Sequence, residues 1–314
     1  MTTARKLNKG RPGGVATVRR SRYLRLDEEN PLYGYLYVLP FAIFFIAFVV
    51  FPIFRGLQVS FADWDVVNPP RFVGLKNYER LLLKDKLFIT CLKNTVSYVV
   101  MYVPLGILVP MLLAELLFKP ILGRTFFRSS IALPIMVTVS STALIWGWFL
   151  NPTFGLINLY FEKVGLPPQR WLSQVRTAMK AIVLTSVWWG AGWNTILFLA
   201  GRQEIPEHLY EAARIDGAGT WALYRHITIP GLMPTILFAT VTTIIGSFQV
   251  FGQVLVMTDG GPGDATRTVS MFIYSNAFLY FKMGYGSAAA WVLFIIVGVF
   301  TILQFRLLRS RLSF

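Results

Sequence analysis

The chain has 314 residues, of which 55% are hydrophobic and 14% charged, with a mean hydropathy of +0.56. A soluble globular chain carries about 25% charged residues, so lipid rather than water is expected to solvate much of this surface. One cysteine, Cys91, excludes an internal disulfide and a cysteine-based metal site, and His208 and His226 are too few for a histidine metal cluster. The net charge of +15 does not point to nucleic acid, because the basic residues sit between apolar runs. Charges so placed face anionic lipid and fix the orientation of a membrane chain.

Residues 1–31 form a polar tail with Arg5, Lys6, Lys9, Arg11, Arg19, Arg20, Arg22 and Arg25. A helix that crosses the hydrocarbon core needs about 20 apolar residues. Six charge-free stretches reach that length: Leu32 to Phe54, Asn94 to Ala114, Ile131 to Leu150, Ala181 to Gly201, Thr235 to Met257 and Met283 to Phe305. The first is longer than the core of a cleaved signal and is expected to be retained. Inside lipid each backbone polar group must be satisfied within the segment, which predicts helices rather than strands. The expected fold is therefore all-α, with six transmembrane helices in residues 32–308. Pro40, Pro52, Pro104, Pro110 and Pro134 are expected to kink them.

The basic tail predicts a cytoplasmic N-terminus, and six spans return the C-terminal residues 309–314 to the same side. The Lys119–Arg128 loop, with three basic residues and no acidic one, falls inside as well. Residues 55–91, 151–180 and 258–286 are then external, and residues 202–230 form a cytoplasmic loop.

That loop is longer than a plain connector needs. Pro206 suits the first turn of a helix and Gly217 the left-handed position just past its end. Leu209, Ala212 and Ala213 share one face of the helix between them. A second short helix, capped by Thr220 and stopped by Pro230, is expected to follow.

On the fifth span, Thr242, Thr243, Gly246, Ser247, Gln249, Val250 and Gln253 fall within an arc of about 160° at 100° per residue. Ser186, Gly190, Trp193 and Asn194 share a face of the fourth. Such a stripe fits either a water-lined solute path or polar contacts between helices. Glu115 reads as an interfacial residue at the inner end of the second span, Cys91 as inert packing, and the Trp188-Trp189 pair as an anchor or packing element.

Glu211-Ala212-Ala213, Asp216-Gly217-Ala218 and Ile227-Thr228-Ile229-Pro230 resemble the signature loop of the inner-membrane permeases of binding-protein-dependent ABC importers. Phe72-Val73-Gly74-Leu75-Lys76-Asn77-Tyr78 and Thr258-Asp259-Gly260-Gly261-Pro262 agree with that resemblance, which runs from about Leu32 onward and is strongest to the first permease type of the carbohydrate-uptake subfamily typified by the maltose importer. The resemblance implies the type I importer permease fold in a bacterial or archaeal cytoplasmic membrane. It implies a second homologous permease, two ATP-binding subunits and an extracytoplasmic solute-binding protein as partners. Glu211, Ala212, Ala213, Asp216 and Gly217 would then couple to the ATPase. Ser186, Gly190, Trp193, Asn194, Thr243, Ser247, Gln249 and Val250 would line the path of a sugar or sugar-like solute. Ser186 and Ser247 stand where the maltose permease has amides, and Trp193 where it has tyrosine, which leaves the particular solute open.

The sequence holds no Gly-x-x-x-x-Gly-Lys-Ser/Thr phosphate loop, so ATP and Mg are expected on the partner subunits and no cofactor on this chain. An ion-coupled carrier is the rival reading. It would place ionisable residues at mid-membrane, and a membrane enzyme would need convergent His, Asp or Glu; the six stretches offer neither.

Overall fold

The computed structural model describes residues 31–309, with one compact unit ending at Arg55 and a second running on from Gly56. The basic tail to residue 30 and the last five residues lie outside the described residues. Among the described residues, four helices are long and apolar enough to cross a membrane, and two bent helix pairs bring the possible spans to six.

Helix α1 (Gly34–Ser60) contains a wide turn at Ile46–Val50, closed by the Phe51 amide on the Ile46 carbonyl. Pro52 supplies no N–H to the carbonyl four residues before it, and a wider turn ahead of it absorbs the mismatch. Phe41 stacks on Phe45 and Phe44 on Phe48, at 5.8 and 6.1 Å between centroids.

The second unit opens with a small departure from the all-helical expectation. Ala62–Asp63 pairs antiparallel with Arg71–Phe72 as a short ribbon. Asn77 closes it by donating to the carbonyls of Ser60 and Ala62, both at 2.9 Å, and the Tyr78 hydroxyl meets that of Ser60 at 2.6 Å. The Asn-Tyr end of the Phe72-to-Tyr78 motif is thus a structural clasp.

Helix α2 (Lys86–Phe118) starts at Asp85, whose carboxylate accepts from the Phe88 amide. It is longer than the charge-free stretch because its first turns lie ahead of Asn94. The third predicted span, Ile131 to Leu150, is not one helix. Helices α3 (Arg124–Met136) and α4 (Val139–Phe149) meet at 105°. Pro134 sits in the tightened last turn of α3, and Thr138 caps α4 through the Ser141 amide.

Helix α5 (Leu156–Lys163) precedes the long α6 (Val175–Glu204). Helices α7 (Glu207–Ile215) and α8 (Thr220–Gly231) form the predicted loop, and α9 (Met233–Phe248) leaves α8 at 66°. Pro206 stands one residue before α7 rather than in its first turn. Thr220 is the first residue of α8, not its cap, and Pro230 lies inside the last turn, so the chain turns only at Leu232. The chain continues through α10 (Gly252–Thr258), α11 (Val269–Leu279) and α12 (Met283–Arg309).

Three apolar clusters hold this unit together. One joins α2, α4, α6, α10 and α11 through Tyr98, Ala143, Ile182, Val254 and Met271. Another packs Cys91 and Phe88 of α2 against Phe248, Phe272 and Ala289, so Cys91 is fully buried among apolar side chains. The third binds the far halves of α2, α6 and α9 through Met111, Ala114, Phe198 and Ala239. These leave a gap midway along α2, α6 and α9.

Candidate functional site

That gap is a cavity of about 500 Å³. Ser186, Gly190, Trp193 and Asn194 of α6 line it, with Thr243 and Ser247 of α9 and Gln249 and Val250 just beyond. The eight side-chain positions singled out in the sequence are therefore brought together around one space.

They do not arrive there on one helix, however. The fifth predicted span, Thr235 to Met257, breaks after Phe248 and restarts at Gly252 as α10. Thr242, Thr243, Gly246 and Ser247 obey the helical arc, whereas Gln249, Val250 and Gln253 reach the cavity from an unwound turn and a separate helix. The Val250 carbonyl accepts from the Thr268 hydroxyl at 2.9 Å, which satisfies a group that unwinding frees.

The polar residues divide by role. Asn194 is buried, and its amide donates to the Gly106 carbonyl at 2.8 Å and to Thr243 Oγ1 at 3.2 Å. Residue 110, four beyond Gly106, is a proline and has no N–H to give that carbonyl. Asn194 takes the missing donor's place and ties α2, α6 and α9 at one point. Asn194 and Thr243 are thus polar glue at the cavity wall. Ser186 and Ser247 are also buried, their hydroxyls donating to Ile182 and Ile244 carbonyls on their own helices. Trp193, 57% exposed, and Gln249, also exposed, turn free surface into the space.

Sequence reasoning missed part of the wall. Tyr98 and Tyr102 of α2 stack at 5.4 Å between centroids and line the cavity. Ile135 and Val139, on either side of the α3–α4 bend, line it too. Trp189 donates from Nε1 to the Val137 carbonyl at 3.0 Å, pinning that bend while its ring faces the cavity; Trp188 packs edge-on against Trp146. The one usable signal was the Tyr98–Tyr102 spacing of four, which places both rings on one face of α2. Among the described residues, the cavity wall contains no Asp, Glu, Lys or Arg. An aromatic, uncharged, hydrogen-bonding wall suits a neutral solute with apolar faces and hydroxyls.

The second group of candidates lies on α7 and its end. Gly217 has φ +83°, its amide bonds to the Arg214 carbonyl at 3.1 Å, and the Ala218 amide bonds to that of Ala213 at 2.9 Å. These two bonds with a left-handed residue form a Schellman stop. Glu211, Ala212 and Asp216 are exposed and Ala213 is half-buried. The helix thus offers a small-residue face with carboxylates beside it. No group of three or more His, Cys, Asp or Glu residues able to hold a metal ion occurs among the described residues.

Residues 92–314 match the family described as the binding-protein-dependent transport system inner membrane component. The chain is 33% identical over 291 residues to the trehalose/maltose transport system permease protein MalF of Thermococcus litoralis, covering 91% of this chain and 97% of that one. It is 33% identical over 303 residues to the lactose transport system permease protein LacF of Rhizobium radiobacter, covering 95% and 100%. Among solved structures, a chain of a bacterial ABC transporter that imports the acidic polysaccharide alginate superposes with a TM-score of 0.81 at 24% identity, over 93% of this chain and 100% of that one. That likeness supports the fold: a type I importer permease.

Proposed function

Because the chain belongs to the family of binding-protein-dependent transport system inner membrane components, a permease subunit and not itself the ATPase, we propose that it forms half of the path of a neutral sugar or oligosaccharide. The observation that carries this is the uncharged cavity wall, with Trp193 and Tyr102 as ring surfaces and Gln249 and Thr242 as hydrogen-bonding groups. Relatives named for trehalose, maltose and lactose transport agree with a sugar. An acidic polysaccharide such as alginate fits this wall poorly, since no cation lines the cavity among the described residues.

In this reading a second permease completes the path, an extracytoplasmic binding protein delivers the solute, and two ATP-binding subunits hold ATP and Mg. The exposed face of α7, from Glu211 to Gly217, docks on one of those subunits. The tail to residue 31 and residues 309–314 lie in the cytoplasm, as does the loop 202–230 within the six-helix domain of residues 32–308.

The test is reconstitution of the co-purifying complex in liposomes. Labelled trehalose, maltose and lactose are offered beside an anionic uronate oligosaccharide of similar length. ATP-dependent uptake of a neutral sugar is expected; preferential uptake of the uronate overturns the solute class. Reaction of Ala218→Cys with an impermeant reagent from outside sealed cells overturns the orientation.

A further inference from the structure

Helix α7 has to move something if it is to open or close the cavity, and its nine residues make few inward contacts. Among the described residues Tyr210 is the one position of α7 that is buried, with 5% of its surface exposed. Three elements meet at this side chain or one step beyond it. Its hydroxyl lies 2.9 Å from Thr228 Oγ1, in α8 at the foot of α9. Its ring lies 4.2 Å from the guanidinium carbon of Arg202, in the last turn of α6. The same guanidinium carbon lies 4.1 Å from the centroid of the ring of Phe118, the final residue of α2. Glu115, one turn earlier on α2, pairs with Arg202 Nε at 3.5 Å.

Arg202 is a costly residue to place here. It is buried, with 8% of its surface exposed, and its Nε makes no hydrogen bond. A desolvated cation close to two aromatic rings is attracted by both ring quadrupoles, which offsets part of that cost. A leucine would fill the space between Phe118 and Tyr210 without the electrostatic grip. What the cation adds is attachment: both rings are held to it.

We propose that Arg202 and Tyr210 form a joint that conveys displacement of α7 to three of the helices that line the cavity, α2, α6 and α9. The inference rests on the transport reading and specifies how that reading works. The geometry gives each helix its own connection. Through Arg202 the pull enters α6 eight residues from Asn194. Through Phe118 and Glu115 it enters α2 twelve and nine residues from Gly106. Through Thr228 it enters α8 and then α9. Asn194 bonds Gly106 and Thr243, so the same three helices are tied again at the cavity wall. The bundle between the two ties is a frame that is driven at one end and read at the other. Arg202 and Tyr210 are positioning residues in this scheme, since neither lines the cavity.

The test uses the assembled complex in liposomes, with Cys91→Ala and a reporter, Thr242→Cys, in the cavity wall. The probe is a small maleimide, whose labelling rate is compared with and without Mg-ATP plus vanadate. With the joint intact, closing the ATPases is expected to change that rate. Arg202→Leu should reduce the ATP-dependent change about tenfold while ATP hydrolysis persists, and Arg202→Lys, which keeps the cation, should restore it to within about threefold. Tyr210→Phe keeps the rings and removes the Thr228 bond, and should lose about threefold. A full ATP-dependent change in Arg202→Leu, or a lysine variant as defective as leucine, overturns the joint. If Arg202→Leu does not assemble, Tyr210→Phe decides, and a full response there overturns it. If the reporter complex with Arg202 and Tyr210 intact shows no ATP-dependent change, the transport reading itself fails, which is distinct from failure of the joint.

Discussion

Asn194 on α6 does for Gly106 on α2 what the residue at position 110 cannot. The Gly106 carbonyl would ordinarily receive the amide of residue 110, which is proline, and it receives the Asn194 side chain at 2.8 Å instead. The hydrogen bond that Pro110 cannot give within one helix is therefore supplied by the polar residue of another, at the wall of the cavity. The arrangement explains an asparagine in an otherwise apolar stretch without giving it a role toward solute.

Asn194→Leu should consequently destabilise the protein by about 1–2 kcal/mol, the cost of leaving a buried carbonyl unpaired. Pro110→Ala should be much better tolerated in the leucine background than a simple sum of the two changes predicts, because alanine supplies the missing amide. Thermal unfolding of the four proteins in the double-mutant cycle measures this. Strict additivity would show that the repair is incidental.

Gly190 leaves room for Tyr102. A β-carbon at position 190 would stand 2.7 Å from the Tyr102 hydroxyl, inside van der Waals contact. Gly190→Ala should therefore displace the stacked tyrosine pair into the cavity, reduce uptake and cost about 1–2 kcal/mol. Adding Tyr102→Phe removes the colliding oxygen and should restore both uptake and melting temperature. Failure of the phenylalanine to rescue would locate the effect elsewhere on α6.

Gly217 has open space around its α-carbon, so a substitution there meets no neighbour and is opposed only by its φ of +83°. Gly217→Val should cost about 1–2 kcal/mol locally, since a β-branched residue resists the left-handed region. The expected readout is loss of the co-purifying ATPase, with the six-helix domain melting as before. Gly217→Asn, which tolerates that conformation better, should retain most of the association. Equal retention by valine and asparagine would show that the α7 stop is not needed for docking.

Trp193 and Ser247 separate a solute path from helix packing. Trp193→Ala removes exposed ring surface and should lower uptake about tenfold with no change in assembled yield. Ser247→Leu adds bulk at a buried position and should lower both uptake and yield, because overpacking is destabilising. Uptake per assembled complex and complex yield, measured together, decide between the roles. Normal uptake per complex in Trp193→Ala would remove the tryptophan from the path.

How much of this could be read in advance follows from what each signal depends on. Six apolar stretches and the α7 sequence, with proline before it and glycine after, are local features and could be placed from the chain itself. The face of α6 and the arc of α9 up to Ser247 follow from helical geometry alone. Beyond Phe248 that geometry stops applying, and Gln249 lines the cavity because the helix has ended, which the arc calculation assumed it had not. The α3–α4 bend was hidden for a similar reason: Pro134 marks a kink but gives no angle. The spacing of Tyr98 and Tyr102 puts both on one face of α2, but no local pattern distinguishes an aromatic ring facing lipid from one facing a cavity. Arg202 depends on Phe118 and Glu115, far away in sequence.

The break between Phe248 and Gly252 has a bearing on how the wall can change between related chains. Within a continuous helix one inserted or deleted residue turns everything beyond it by about 100°. At an unwound turn the same change is taken up locally, and the helix on the other side keeps its aim. Gln249 and Val250 sit in that tolerant stretch, while Thr243 and Ser247 sit in the rigid one. Variation in length is thus permitted at one edge of the cavity and forbidden at the other, so new contacts can be gained at the turn without re-aiming α10 and the segment that follows it.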